Sequence, residues 1–281
     1  MIQEIILTIQ CADQPGIIAE VAQVISQAGG NILSLSQHTA LDIGVFMFKC
    51  RFAVPHDFSE EEFSNKFKPT ALRFKMEWHI YNAKVLPRVG ILVSKTSHTL
   101  YELLLKHQDR ELPCEFPVIV SNHSDLENVA KQFNIPFLKV DPSKGKRVYE
   151  DEVHQIFTDY KVDVVVLARF MQILSKDFTD RWIYKVINIH HGFLPAFMGA
   201  KPYHQAWYKG VKLIGATAHF ANENLDQGPI ISQDVVRVSD TRSINEFIQV
   251  GKDVERKVLV DALRLFLNHS VFVVSGRTFI L

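Results

Sequence analysis

Cysteine is scarce in this sequence: Cys11, Cys50 and Cys114 are the only three in 281 residues, and no two lie close together. They make no disulfide framework, which predicts a reducing, cytoplasmic setting. An excess of one charge is lacking too, since Lys+Arg and Asp+Glu number 31 each. Zero net charge excludes the basic footprint of a nucleic-acid binder, although one local patch can still hold a small anion. No apolar run approaches a membrane span. The densest, Val162–Ala168, is broken by Asp163 and falls far short of about 20 residues. The opening MIQEIILTIQ places Glu4 where a signal peptide needs a cation and offers no small-residue cleavage site. With 47% apolar and 22% charged residues the composition is that of a globular chain. At about 150 residues per domain the length predicts two domains, each long enough for its own core.

The first eighty residues alternate between two periods. Residues 4–10 predict a strand, followed by the turn Asp13-Gln14-Pro15-Gly16. Ile17, Val21, Val24, Ile25 and Ala28 recur at helical spacing, with Asp13 a candidate N-cap, Pro15 suited to the first turn and Gly29-Gly30 to the C-terminus. Leu33 and Leu35 mark a second strand, and Phe46, Phe48, Cys50 and Phe52 alternate along a third. Phe63, Phe67 and Leu72 predict a second helix, and Met76, Trp78 and Ile80 a closing strand. The order βαββαβ reads as a ferredoxin-like sandwich.

The stretch LTIQCADQPGIIAEVAQVISQAGGNI resembles the opening of an ACT regulatory domain. The resemblance implies pairing of such domains side by side and a small amino-acid effector near Asp13, Pro15, Gly16, Gly30 and Asn31. The same residues equally make a good helix-starting turn, so they do not by themselves establish a ligand. The domain is expected over residues 1–81, with a linker at 82–88 and a second domain at 89–281.

From Val89 onward strand and helix patterns alternate. Apolar runs at 89–93, 117–120, 136–140, 163–168 and 185–189 alternate with helical patterns at 98–107, 125–133, 147–160 and about 172–181. Continuous apolar runs suit parallel strands buried on both faces, so a doubly wound, mostly parallel, Rossmann-like α/β sheet is expected, with its ligand at the strands' C-terminal ends. Strands at 213–220 and 230–238 follow, then a long helix whose inward face carries Val254, Val258, Leu259, Ala262, Leu263 and Phe266. No G-x-G-x-x-G follows the first strand and no G-x-x-x-x-G-K-[ST] occurs, so neither NAD nor ATP is supported.

Chemistry concentrates in Asn188-Ile189-His190-His191-Gly192-Phe193-Leu194-Pro195, at the end of an apolar strand. Asn188 and His190, two apart in extended backbone, project from one face. An amide N–H and an imidazolium N–H aimed at one oxygen stabilise an oxyanion. Asp226, in a turn between the later strands, supplies a carboxylate that favours the charged imidazolium. Two other readings stand beside this one. Adjacent histidines after a strand are often simply satisfied at a loop. Zinc on His190, His191, His204, His219 and Asp226 lacks the H-E-x-x-H spacing, and no metal is expected.

The segment from Asn188 to Gln233, with SNHSDLENVAKQFNIPF and VVVLARFMQILSKDF upstream, closely resembles the folate-dependent formyl-transfer and formyl-hydrolase family over nearly all of residues 88–240. The resemblance implies catalytic Asn188, His190 and Asp226, with His219 of GATAHF a further active-site histidine. It implies a folate site at Met171, Gln172 and Leu174 and along Asn222, Glu223, Asn224 and Leu225. Relatives usually read His-His-Ser where this chain has Gly192, so a loop hydroxyl is lost and a looser backbone expected.

Three chemistries share the attack on the formyl carbon, and the acceptor separates them. A glycinamide ribonucleotide formyltransferase needs a Gly-rich phosphate loop, whereas Ser94-Lys95-Thr96-Ser97-His98 has no glycine. A methionyl-tRNA formyltransferase carries an extra C-terminal domain and a basic surface. Water is therefore the expected acceptor, giving hydrolysis of 10-formyltetrahydrofolate to tetrahydrofolate and formate, with no cofactor. The transferase and a non-catalytic folate or amino-acid sensor are the alternatives. Lys95, His98 and His123 are expected to be solvated or loop-capping.

Overall fold

A computed structural model describes residues 2–199, 201–239 and 243–281, and the chain divides into two compact units. The first comprises residues up to Leu86 together with His269–Phe272 and Phe279–Leu281. Its elements run β1 (Gln3–Ala12), α1 (Ile17–Gln27), β2 (Asn31–Ala40), β3 (Val45–Val54), α2 (Glu60–Phe74) and β4 (Glu77–Asn82). The antiparallel sheet has the order β2-β3-β1-β4, the expected ferredoxin-like sandwich. Phe48, Phe52, Phe63 and Phe67 are fully buried in its core, each adding about 1.5–3 kcal/mol by leaving water.

Three local expectations change. Leu72 is 69% exposed. It stands nine residues after Phe63, half a turn round at about 100° per residue, and Ala71 and Phe74 complete the buried face instead. Asp13 does not cap α1: the helix starts at Ile17 after a left-handed Gly16, no side chain caps it, and Asp13 donates its backbone N–H to the Gly44 carbonyl. Asp13, Pro15, Gly16 and Asn31 are exposed and Gly30 half-buried. The C-terminal residues, expected in the second domain, belong to the first unit. There His269 stacks on Tyr81 with ring centroids 3.6 Å apart, and Lys49 Nζ donates to Ser270 Oγ at 2.8 Å.

The second unit, Pro87–Asn268 with Val273–Thr278, holds a seven-stranded sheet in the order β11-β10-β9-β8-β5-β6-β7. Its elements begin β5 (Arg88–Val93), α3 (His98–Gln108), β6 (Glu115–Ser121), α4 (Glu127–Gln132), β7 (Phe137–Lys139) and α5 (Lys146–Asp159). They continue with β8 (Val164–Ala168), α6 (Lys176–Arg181), β9 (Val186–His190), α7 (Pro202–Tyr208), β10 (Leu213–Phe220), β11 (Ile230–Arg237) and α8 (Ile244–Leu267). β5 to β9 are parallel and β10 and β11 run antiparallel. Every residue of β8 is buried, as its unbroken apolar run requires. The chain builds outward from β5 to β7, then returns to the other flank of β5 with β8. The strand order therefore reverses between β5 and β8, and a ligand crevice belongs at their C-terminal ends. The sequence did not show α7 or the closing strands β12 (Val271–Val274) and β13 (Arg277–Ile280), which are too short for a clear period.

Candidate active site

Asn188 and His190 share one face at the end of β9. The antiparallel register sets His219 of β10 directly opposite Asn188, and Thr217 opposite His190. His219 Nδ1 lies 2.9 Å from the Phe220 carbonyl, which only accepts, so Nδ1 carries the proton. Nε2 is left with its lone pair and accepts from Asn188 Nδ2 at 3.1 Å. Burial holds the His219 pKa below its usual value, in keeping with a neutral ring. One amide proton of Asn188 is used, and among the described residues the second has no partner.

Asp226 reaches the same place from the β10–β11 loop, with a left-handed backbone at φ 59°. A side chain at Gly228 would bring a Cβ within 1.6 Å of the Phe220 carbonyl, so only glycine lets this loop lie against β10. Asp226 Oδ1 is 3.1 Å from His190 Nδ1, and Oδ2 accepts from the Gly199 N–H at 3.2 Å. Burial alone would raise its pKa. The hydrogen bond and charge of His190 and the Gly199 N–H outweigh burial and hold the carboxyl below the usual aspartate value. His190 Nε2 donates to the Phe197 carbonyl at 3.1 Å. Both partners of this ring only accept, so it satisfies them together only with a proton on each nitrogen.

Gly192 also leaves space beside His190. A Cβ there would stand 2.8 Å from His190 Nε2 and 3.1 Å from the Phe197 carbonyl oxygen. The missing side chain is what admits the Phe197 carbonyl to the His190 ring. Thr217 pins the segment below: it accepts from the Leu194 N–H and donates to the Gly192 carbonyl, both at 3.0 Å. Gln233 Nε2 donates to the Leu194 carbonyl and to Thr217 Oγ1, both at 2.9 Å.

Asn188, His190, His219 and Asp226 line a cavity of about 520 Å³, within the usual size for a small-molecule site. Met171, Gln172, Leu174, Asn222, Asn224 and Leu225 line it as well. Glu223 does not: its carboxylate pairs with Lys176 at 3.2 Å, away from the lining. Ser94 Oγ donates to Asn122 at 2.8 Å and accepts from the Met171 N–H at 3.1 Å, tying together the segments after β5, β6 and β8. Lys95 is exposed, and the His123 N–H donates to Ser121 Oγ at 3.0 Å. Among the described residues no group of His, Cys, Asp or Glu has the geometry to hold a metal ion.

His98 is not a solvated residue. It donates from Nε2 to Glu255 Oε2 at 2.9 Å, while the Tyr203 hydroxyl donates to Glu255 Oε1 at 2.9 Å and Arg169 Nε lies 3.5 Å away. Glu255 is 1% exposed and lines the cavity with these partners and with His191. Its burial favours protonation, but the His98 hydrogen bond and the Arg169 charge prevail and its pKa stays below the usual glutamate value. Burial, aided by Arg169, pushes the His191 pKa down to about 3. Sequence reasoning missed Arg169, Tyr203 and Glu255, which come from three elements distant in the chain.

A doubly wound sheet whose switch-point cavity gathers an amide, an imidazole and an ionised carboxylate is the arrangement of an enzyme that acts on a carbonyl carbon. Comparison with known proteins is more specific. The formyl transferase family model matches residues 87–263 and the ACT domain model residues 5–54. The chain is 42% identical over 274 residues to the formyltetrahydrofolate deformylase of Synechocystis sp., covering 97% of this chain and 96% of that one. The crystal structure of a formyltetrahydrofolate deformylase from Pseudomonas syringae pv. tomato superposes with a TM-score of 0.95 at 40% identity, over 100% of this chain and 94% of that one. The glycinamide ribonucleotide transformylase 1 of Symbiobacterium toebii reaches a TM-score of 0.67 at 27% identity, over 70% of this chain and 94% of that one. The chain belongs to the formyltetrahydrofolate deformylase family.

Proposed function

We propose that this chain hydrolyses 10-formyltetrahydrofolate to tetrahydrofolate and formate, with Asn188, His190 and Asp226 carrying the reaction. The Asp226–His190 pair at 3.1 Å, closed around a cavity that Asn188 also enters, is the observation that supports it. The folate ring lies along Met171, Leu174 and Leu225. Its formyl oxygen takes the free Asn188 proton and the His190 Nε2–H in place of the Phe197 carbonyl. Water attacks the formyl carbon, and the tetrahedral oxyanion is held by those two donors. Asp226, ionised beforehand, takes the water's proton and returns it to the folate nitrogen as the carbon–nitrogen bond breaks.

Water as acceptor fits the cavity's other end. The loop after β5 has no phosphate-cradling glycine, and His98 is committed to Glu255. No metal or organic cofactor enters these steps, so the rate is expected to survive exhaustive chelation. We further propose that the first unit is regulatory and binds a small amino acid at the Asp13–Gly16 loop. Ile32, Leu33 and Leu35 of the edge strand β2 are 38%, 49% and 40% exposed, a surface suited to side-by-side pairing of two copies. All three cysteines are free and buried, in keeping with a reducing, cytoplasmic setting, and the proposed reaction would serve one-carbon and purine metabolism there. Among the described residues no helix is long and apolar enough to cross a membrane. The test is an assay of purified protein with 10-formyltetrahydrofolate alone. Equal amounts of tetrahydrofolate and formate are expected, whereas turnover only on adding glycinamide ribonucleotide overturns the reading.

A further inference from the structure

Arg169 directly follows β8 at the point where the strand order reverses, with φ 64°. A side-chain-bearing residue is strained in that left-handed region, and such strain is kept where the surroundings hold a group in place for use. The side chain is 14% exposed, and its Nε is buried without a hydrogen-bond partner. The neighbouring carboxylate does not fill that need. Glu255 Oε1 already accepts from Tyr203 and Oε2 from His98, and Arg169 Nε stays 3.5 Å off. Glu255 therefore balances the guanidinium's charge but leaves its Nε–H without a hydrogen bond. A buried cation with an unbonded N–H is costly, and such a group calls for an explanation.

His190 and His191, whose ring centroids are 5.5 Å apart, line the same cavity as Arg169, and Arg169 acts electrostatically on His191. A planar fork of N–H groups matches a small carboxylate. We infer that Arg169 forms a carboxylate subsite beside the reacting carbon and takes the formate made there. The inference rests on the proposed hydrolysis. In that step water's oxygen bonds to the formyl carbon and the carbon–nitrogen pair goes to the folate nitrogen. The nitrogen takes one water proton, and the formic acid released gives its hydroxyl proton to solvent, leaving formate with its C–H bond, two oxygens and one negative charge. The anion forms within the cavity that Arg169 lines.

A folate also carries glutamate carboxylates, so the test separates the two sources. Carbon-13-labelled formate is titrated into the whole enzyme saturated with tetrahydrofolate at constant chloride, and its binding is followed by NMR. Arg169→Gly, which accepts the left-handed backbone, is expected to weaken formate at least tenfold or so, the scale of a lost charged hydrogen bond. Arg169→Lys, with charge but no fork, should fall between. Tetrahydrofolate affinity should stay within about threefold in both, which also reports folding; if the glycine variant fails to fold, the lysine variant decides. Equal formate binding by parent and variants, or none by the parent, overturns the subsite. So does a loss confined to tetrahydrofolate, which would assign the guanidinium to a folate carboxylate. A parent enzyme that binds formate through Arg169 but releases none from 10-formyltetrahydrofolate refutes the reaction and leaves the subsite standing.

Discussion

His219 fixes the direction in which Asn188 points: its proton-free Nε2 lies 3.1 Å from the Asn188 amide nitrogen across the β9–β10 pair. The amide of this cavity-lining residue is thereby held in one orientation, as the proposed oxyanion donor requires. Asn188→Ala should lower kcat by about a hundred- to a thousandfold, the usual loss for one oxyanion donor, with the fold intact. His219→Ala should release the amide to rotate and cost up to about a hundredfold. Formate release under saturating substrate measures both.

Asp226→Asn keeps the shape of the loop but removes the carboxylate that His190 faces. By analogy with other His–Asp pairs, turnover should drop by about three to four orders of magnitude with an unchanged circular dichroism spectrum. Parent-level formate release from this variant would contradict the assignment.

Room around His190 is set by Gly192. Gly192→Val forces atoms into the place of the Phe197 carbonyl and the imidazole. Displacing the ring by about 1 Å should cost on the order of a hundredfold in kcat/KM. A variant with full activity would show that the ring is not held by this segment.

Glu255 is the sole carboxylate bonded to His98 and Tyr203 among the described residues, and it lies beside Arg169. Glu255→Ala strands a buried guanidinium, so unfolding in urea should show about 3–5 kcal/mol lost. Glu255→Gln should lose less, because it keeps the bond from Tyr203.

Acid should weaken the fold through buried histidines. Burial, aided by Arg169, takes His191 to about 3, and burial, aided by Lys49, takes His269 to about 4. His219 shifts the same way. Below about pH 6.5 the unfolded chain binds protons that the folded one refuses. Stability therefore falls as pH drops from 6.5, by up to about 1.4 kcal/mol per pH unit for each such ring. Asp226 and Glu255 act in a different window: their lowered pKa values add stability that is complete above about pH 4 and is lost only as pH falls below it. Tm measured from pH 7.5 to 5 should decline, and His191→Gln and His269→Gln should each flatten the slope. A flat parent profile would refute the shifts.

Much of the fold was legible because burial writes its period into the chain. Phe46, Phe48, Cys50 and Phe52 alternate along β3, and the unbroken Val164–Ala168 run is a strand covered on both faces. Asn188 and His190 were readable as a same-face pair because two residues of strand repeat one direction. Arg169 and Glu255 were not. A left-handed φ leaves no mark in an arginine, and a glutamate in an amphipathic helix looks solvated until its partners arrive from α3, α7 and the end of β8. The space that Gly192 leaves was not readable, because what its missing side chain makes room for lies five residues away in a loop.

In the proposed reaction solvent attacks the formyl carbon at Asn188, His190 and Asp226. The most direct test runs the reaction in water labelled with oxygen-18 and weighs the formate. One labelled oxygen per formate is predicted, with none appearing for Asp226→Asn over the same time. Unlabelled formate, or tetrahydrofolate formed only when an amine acceptor is supplied, would contradict it.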